Sequence, residues 1–145
     1  MLKVIINSMP EVLKIIINSL PAEKFDWWLE GSFALRLWGL AVVVRDLDIV
    51  TNDRGIDIFR QALATYIQKD SHDPIKGWQL ILNINNQEVE ISSFADRTIN
   101  VFGLAQEVAW QGLTVPVLPL VCIRGLYVAI NRVDKVLAID KFIKG

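Results

Sequence analysis

The sequence predicts one mixed α/β (α+β) domain, and three observations carry that prediction. Hydrophobic residues make up 52% of the 145 positions, which is ample for a core and argues against intrinsic disorder. Apolar residues recur at helical spacing in some stretches and alternate at strand spacing in others. No low-complexity linker divides the chain, so residues 1–145 read as a single unit that includes a C-terminal helical segment.

The stretches LKVIINSMPEV (2–12) and LKIIINSLPAE (13–23) nearly repeat with a period of 11, a helical spacing, although two copies do not make a solenoid. A helix is expected from about 10 to 19. Ser8 and Glu11 stand at capping-box spacing, Pro10 falls in the first turn, and Leu13, Ile16, Ile17 and Leu20 form an apolar stripe. The pattern leaves residues 2–7 open between a helical turn and an edge strand. A short strand is expected over 25–29, then a helix over 32–38 ending at Gly39, and a strand over 42–51. Asn52, Asp53 and Gly55 mark a turn before an amphipathic helix over 56–67.

Asp73-Pro74 and Gly77 predict a loop over 71–77, which holds the lone histidine, His72. Two β-rich runs, 78–84 and 88–94, flank Asn85-Asn86 and read as a hairpin. A helix over 104–111, a short strand over 113–117 and two helices over about 120–130 and 133–143 complete the expectation. The tryptophans 27, 28, 38, 78 and 110 are too dispersed for a base-stacking platform, so most should pack in the interior; Trp78 beside Lys76-Gly77 suits a pocket mouth.

Composition also excludes some roles. The most apolar long stretch, 115–130, is broken by Pro116, Pro119 and Arg124 and falls short of a span of roughly 18 residues. Lys3, Glu11 and Lys14 punctuate the apolar N-terminus and no small-residue cleavage site follows, which argues against a signal peptide. The one cysteine, Cys122, lies among apolar neighbours and reads as a buried thiol. Nothing asks for an oxidising compartment, so the protein reads as cytoplasmic. The 15 basic and 16 acidic side chains give a net charge of -1 without a dense basic block. That balance argues against extended nucleic-acid binding and leaves room for nucleotides, small molecules or protein partners.

The most informative segment is Asp46-Leu47-Asp48-Ile49. Alternate strand side chains share a face, so Asp46 and Asp48 are expected to point together, with Arg45 on the other side. Two adjacent carboxylates repel each other, and burial raises the cost; a hard divalent cation such as Mg2+ relieves both. A pair of surface aspartates at a strand end is the plain alternative. Gly31-Ser32 permits a tight turn with backbone amides and a hydroxyl facing a phosphate, and equally suits an ordinary strand-to-helix turn. Val89-Glu90-Ile91 offers a third carboxylate. Glu88 shares its face, but Glu90 lies deeper in the run and is the favoured ligand.

Together these residues resemble the nucleotidyltransferase superfamily that includes DNA polymerase beta, particularly its small stand-alone members. The resemblance rests on Gly31-Ser32 at a helix start, Asp46-Leu47-Asp48-Ile49 and Val89-Glu90-Ile91. Ser32-Phe33-Ala34-Leu35 with Leu37, Gly39 and Arg45 adds to it, and the match is best over 27–94. In the tail Arg124, Arg132 and Asp140 correspond in part, but Val133-Asp134-Lys135 reverses the expected order of base and acid.

The resemblance implies a minimal mixed sheet packed by helices. It implies a nucleoside triphosphate such as ATP as substrate, with Mg2+ (or Mn2+) held by Asp46, Asp48 and Glu90. Gly31 and Ser32 would contact phosphate, with Arg36 and Arg45 as further nucleotide contacts. The implied reaction transfers a nucleoside monophosphate to a hydroxyl on a small molecule, protein or RNA end. The alternatives are a noncatalytic nucleotide-binding or protein-interaction module, in company with a partner subunit or a second copy, and a metal-dependent phosphoryl-transfer hydrolase.

Overall fold

The computed structural model describes residues 2–93 and 104–145, with side-chain surroundings from Met9 onward within the first helix. Its centre is a seven-stranded mixed sheet in the order β3-β4-β5-β2-β1-β7-β6. The strands are β1 (Trp27–Glu30), β2 (Leu47–Thr51), β3 (Ile67–Asp73), β4 (Gly77–Ile84), β5 (Gln87–Ser93), β6 (Gln106–Trp110) and β7 (Leu113–Val117). β2 runs parallel to β5 and β1 parallel to β7, while the other neighbours are antiparallel. The helices are α1 (Leu2–Ser19), α2 (Gly31–Leu37), α3 (Asp53–Ala62), α4 (Leu120–Ala129) and α5 (Val133–Lys144). No helix among the described residues is long and apolar enough to cross a membrane.

Period-two alternation sorts the β4–β5 hairpin into two faces. Leu80, Leu82, Ile84, Val89 and Ile91 are fully buried on one face, against which α1 and α3 pack. Gln79, Ile81, Glu88, Glu90 and Ser92 alternate with them on the other. Asn85 and Asn86 turn the hairpin with φ of 52° and 65°, the left-handed pair that a tight two-residue connection needs. Met9, Val12, Leu13 and Ile16 of α1 enter the same core at i, i+3, i+4, i+7 spacing. The tryptophans largely pack. Trp28 is buried, Trp38 Nε1 donates to the Leu118 carbonyl at 2.9 Å, and Trp110 meets Phe33 edge-on.

Several boundaries differ from the sequence expectation. The first helix runs from Leu2 to Ser19, so it holds the whole first 11-residue copy and the start of the second, and the Ser8–Glu11 pair falls inside it, not at its start. The strand expected over 42–51 begins only at Leu47, because the partners β1 and β5 reach no further: β1 pairs 48–51 and β5 pairs 47–51. The helix expected over 56–67 starts earlier, capped by Asn52 Oδ1 accepting from the Gly55 amide at 2.8 Å, and ends at Ala62. A 3-10 turn then leads into β3, where a loop was expected around His72. β3 escapes a periodicity reading because it is an edge strand with a polar sequence, IQKDSHD, and a register shift near Lys69.

Residues 106–110 form a strand where a helix over 104–111 was expected. Gln111 and Gly112, at φ of 51° and 78°, close a two-residue hairpin into β7. The strand over 113–117 and both C-terminal helices follow the expectation. Phe94, expected to end a β-run, lies outside the described residues.

Candidate active site

Strand register sets the centre of the site. Asp48 on β2 sits opposite Glu90 on parallel β5 and opposite Glu30 on antiparallel β1. Directly opposed residues share a face, so three carboxylates form a row across three adjacent strands. Asp46 lies just before β2 and is exposed at the mouth. A cleft of about 640 Å³ opens over this row. Gly31, Ser32, Arg45, Asp46, Asp48, Glu30 and Glu90 line its sheet side, and Tyr127, Arg132 and Lys135 of the C-terminal helical region line the opposite wall.

Gly31 is required twice over. Its φ is +75°, a conformation that side chains disfavour, and a Cβ there would collide with Asp48 Oδ2. The Gly-Ser turn therefore brings the start of α2 directly against the central carboxylate. Gln87 is buried and donates from Nε2 to the Arg45 carbonyl at 2.7 Å, tying the segment before β2 to the β5 strand. That segment is not a strand, so the alternation that pointed Arg45 away from the two aspartates does not apply. Arg45 lines the same cleft.

The acids repel one another. Asp48 is pushed up to about 7 from an ordinary 3.8, first by burial and then by the charges of Glu90, Asp46, Glu30 and Glu88. Burial also raises Glu30, opposed by a hydrogen bond from Trp28 Nε1 to its Oε2 at 3.2 Å, and Glu90 adds repulsion. Tyr127 is raised by burial and then by Glu30. Glu90 is oriented by its strand neighbours: its Oε1 accepts from Gln79 Nε2 at 2.5 Å and from Ser92 Oγ at 3.5 Å.

The donor set is all oxygen, acidic and unneutralised. Among the described residues no Lys or Arg pairs with Glu30, Asp46, Asp48 or Glu90. That chemistry fits a hard divalent cation. Among the same residues, however, no three Asp, Glu, His or Cys side chains stand in ready coordination spacing. The acids share one cleft without forming a closed cage.

Of the other residues singled out in the sequence, Glu88 is exposed and Arg36 lies on the exposed side of α2; neither lines the cleft. Arg124 is committed elsewhere. Its Nε and Nη2 donate to the two carboxylate oxygens of Asp140 at 2.7 and 3.1 Å, joining α4 to α5. Arg132 pairs with Asp134 yet also lines the cleft, as does Lys135. Glu30, Tyr127 and Gln79 were missed. Glu30 was legible, since it directly precedes Gly31, but a strand read as ending at Leu29 leaves it out. Tyr127 and Gln79 carry no local signal, because tertiary packing alone brings them to the site.

The chain has the nucleotidyltransferase fold, as its resemblance to the DNA polymerase beta superfamily led one to expect. It is similar to TM1012 of Thermotoga maritima, a candidate nucleotidyltransferase, with a TM-score of 0.75 and 24% identity over 95% of this chain and 94% of that one. It is also similar to ANT(2'')-Ia, in a crystal structure with adenylyl-2''-tobramycin, with a TM-score of 0.63 and 10% identity over 94% and 90% of the two chains. The solution structure of the antibiotic-resistance factor ANT(2'')-Ia gives a TM-score of 0.59 and 13% identity over 83% and 70%. No family model and no curated protein sequence matches the chain.

Proposed function

We propose that the protein transfers a nucleoside monophosphate from a nucleoside triphosphate to a hydroxyl acceptor, with Mg2+ (or Mn2+) at the acidic row. The carrying observation is the register that sets Asp48 beside Glu90, with the Gly31 turn pressed against the same carboxylate. Asp46, Asp48 and Glu90 would hold the metal, with Glu30 close enough to add to the field. Bound there, the cation supplies charge neutralisation and eases deprotonation of the acceptor hydroxyl.

The protein's own groups do the rest. Ser32 and the Gly31 backbone hold the outer phosphates, and Arg45, Arg132 and Lys135 supply positive charge around the triphosphate. Arg36, exposed on α2, contributes as an outer contact at most. Glu90 Oε1 is held by Gln79, which leaves Oε2 for the cation, and the acceptor hydroxyl gives its proton to solvent. The acceptor oxygen bonds to the α-phosphorus, the bond from that phosphorus to the bridging oxygen breaks, and pyrophosphate leaves with the electron pair. This aligned displacement gains most from fixed geometry, which the three adjacent strands provide.

The open spacing of the acids favours one second reading, a domain that binds nucleotide without turnover. Each triphosphate labelled on its α-phosphate, incubated with the protein, magnesium and a broad acceptor extract, separates the readings. Label joined to an acceptor with matching pyrophosphate release supports transfer. Label released only as free monophosphate makes water the acceptor. Tight binding with neither product supports the noncatalytic reading.

A further inference from the structure

Among the described residues, most exposed large apolar side chains lie between 121 and 143, on the two C-terminal helices and their connection. Three of them have a local reason. Leu126 and Ile130 line the cleft over the acids, and the Phe142 ring lies against Gly39. Val121, Val128, Val133 and Leu137 have none, and Val121 is 69% exposed and Leu137 62%. On α4, Val121, Gly125 and Val128 stand at i, i+4, i+7 spacing, so they share one side of the helix. On α5, Val133, Leu137 and Lys144 share a side in the same way. Arg124 neighbours Val121 and Val128 at helical spacing, and Asp140 neighbours Leu137 and Lys144. The ion pair of Arg124 with Asp140 therefore joins the two rows into one surface. Gly125 has nothing within 4 Å of the place its Cβ would take, so the space above the middle of α4 is open. A glycine inside a helix costs about 1 kcal/mol relative to alanine, and no described neighbour requires it there.

We propose that a second copy of the chain docks on this surface, the two α4–α5 pairs closing into a four-helix bundle about a twofold axis. Area is the first argument. The exposed parts of Val121, Val128, Val133 and Leu137 come to on the order of 400 Å², close to the ~55–65% apolar share of the ~800 Å² that each partner gives to a standard interface. Charge is the second. A twofold axis crossing α5 near Leu137 runs the two copies of that helix antiparallel, which sets Asp134 beside the partner's Lys141 and Lys141 beside the partner's Asp134. The surface thus complements itself. An anionic lipid surface or a nucleic-acid backbone matches it poorly, because Asp134 and Asp140 accompany Lys141 and Lys144. Gly125 is the third, since it lets a partner helix approach α4 closely. The acidic cleft stays open in such a dimer: Leu126 and Lys135 line it from the other sides of the same two helices. The contact is independent of whether that cleft transfers or only binds nucleotide.

Sedimentation velocity on the full chain, without nucleotide or metal, over about 5–200 µM tests the proposal. Twice the single-chain mass is expected at the upper end. Leu137→Glu and Val128→Glu, each at an exposed position of the single chain, should raise the dissociation constant of the dimer about tenfold or more while keeping the circular dichroism of wild type. Asp134→Lys and Lys141→Glu should each weaken the dimer, and the double variant should recover it, because the two charges exchange places across the axis. A wild type that keeps the single-chain mass throughout overturns the proposal, and flotation of that monomer with phosphatidylserine vesicles would give the surface to a lipid instead. A dimer that Leu137→Glu and Val128→Glu both leave intact overturns it as well, by placing the contact elsewhere. Charge variants that weaken the dimer without mutual recovery refute the antiparallel packing.

Discussion

Changing Asp48 to Asn should stabilise the metal-free protein while removing its proposed role. The carboxyl is raised to about 7 from 3.8, chiefly by burial and by Glu90. Three pH units at about 1.36 kcal/mol each amount to roughly 4 kcal/mol of penalty on the ionised form, and water entering an open cleft reduces this to about 2–4 kcal/mol. Because the folded-state value lies above the unfolded one, this group's stabilising contribution is complete below about pH 4 and is lost as pH rises through about 7.

The advantage of Asp48→Asn should therefore be small near pH 4, open between there and neutrality, and level off above. At roughly 2–4 °C per kcal/mol for a domain of this size, the melting midpoint of the variant should exceed wild type by about 5–15 °C at pH 8. Thermal unfolding followed by circular dichroism at about pH 5 and about pH 8, with and without magnesium, measures it. Magnesium should narrow the gap by stabilising wild type alone. A variant less stable than wild type at pH 8 without metal, or a gap that ignores pH, would refute the reasoning.

Other substitutions probe the site and its frame. Asp46→Asn should reduce transfer by several orders of magnitude with little change in unfolding, as judged by product formation beside a melting curve. Glu90→Gln should cut transfer far more than Glu88→Gln, since only Glu90 lines the cleft; the reverse order would reassign the third acid. Gly31→Ala should cost about 1–2 kcal/mol for its positive φ alone, and more through its collision with Asp48. In an Asp48→Ala background that added cost should largely vanish, a coupling that a double-mutant cycle reads directly. Gly55→Ala should lose about 1–3 kcal/mol in urea, because the new methyl meets Thr51 Oγ1, which is itself donated to the Asp26 carbonyl at 2.6 Å.

Much of the centre was legible in the chain, and the reason is local. Positive φ at Gly31, alternation through Leu47-Asp48-Ile49 and Val89-Glu90-Ile91, and the Asn85-Asn86 turn all write their geometry into neighbouring residues. The edges were harder. β3 carries no apolar alternation because one side of it has no partner strand, and β6 looked helical until its turn at Gln111-Gly112 is considered. The far wall was hidden for another reason. Tyr127 and Lys135 come to line the acids' cleft only through the way the C-terminal helices fold back, a long-range event that no local spacing encodes. Arg124 shows the converse: a base in the expected region is taken up by Asp140 as a helix-to-helix tie.

Calorimetric titration of the protein with magnesium and a non-hydrolysable ATP analogue tests the central claim most directly. Binding of the analogue should require the metal and should disappear in the Asp46→Asn, Asp48→Asn double variant while the fold persists. Equal binding by that variant, or metal-independent binding by wild type, would contradict a shared cation between β2 and β5.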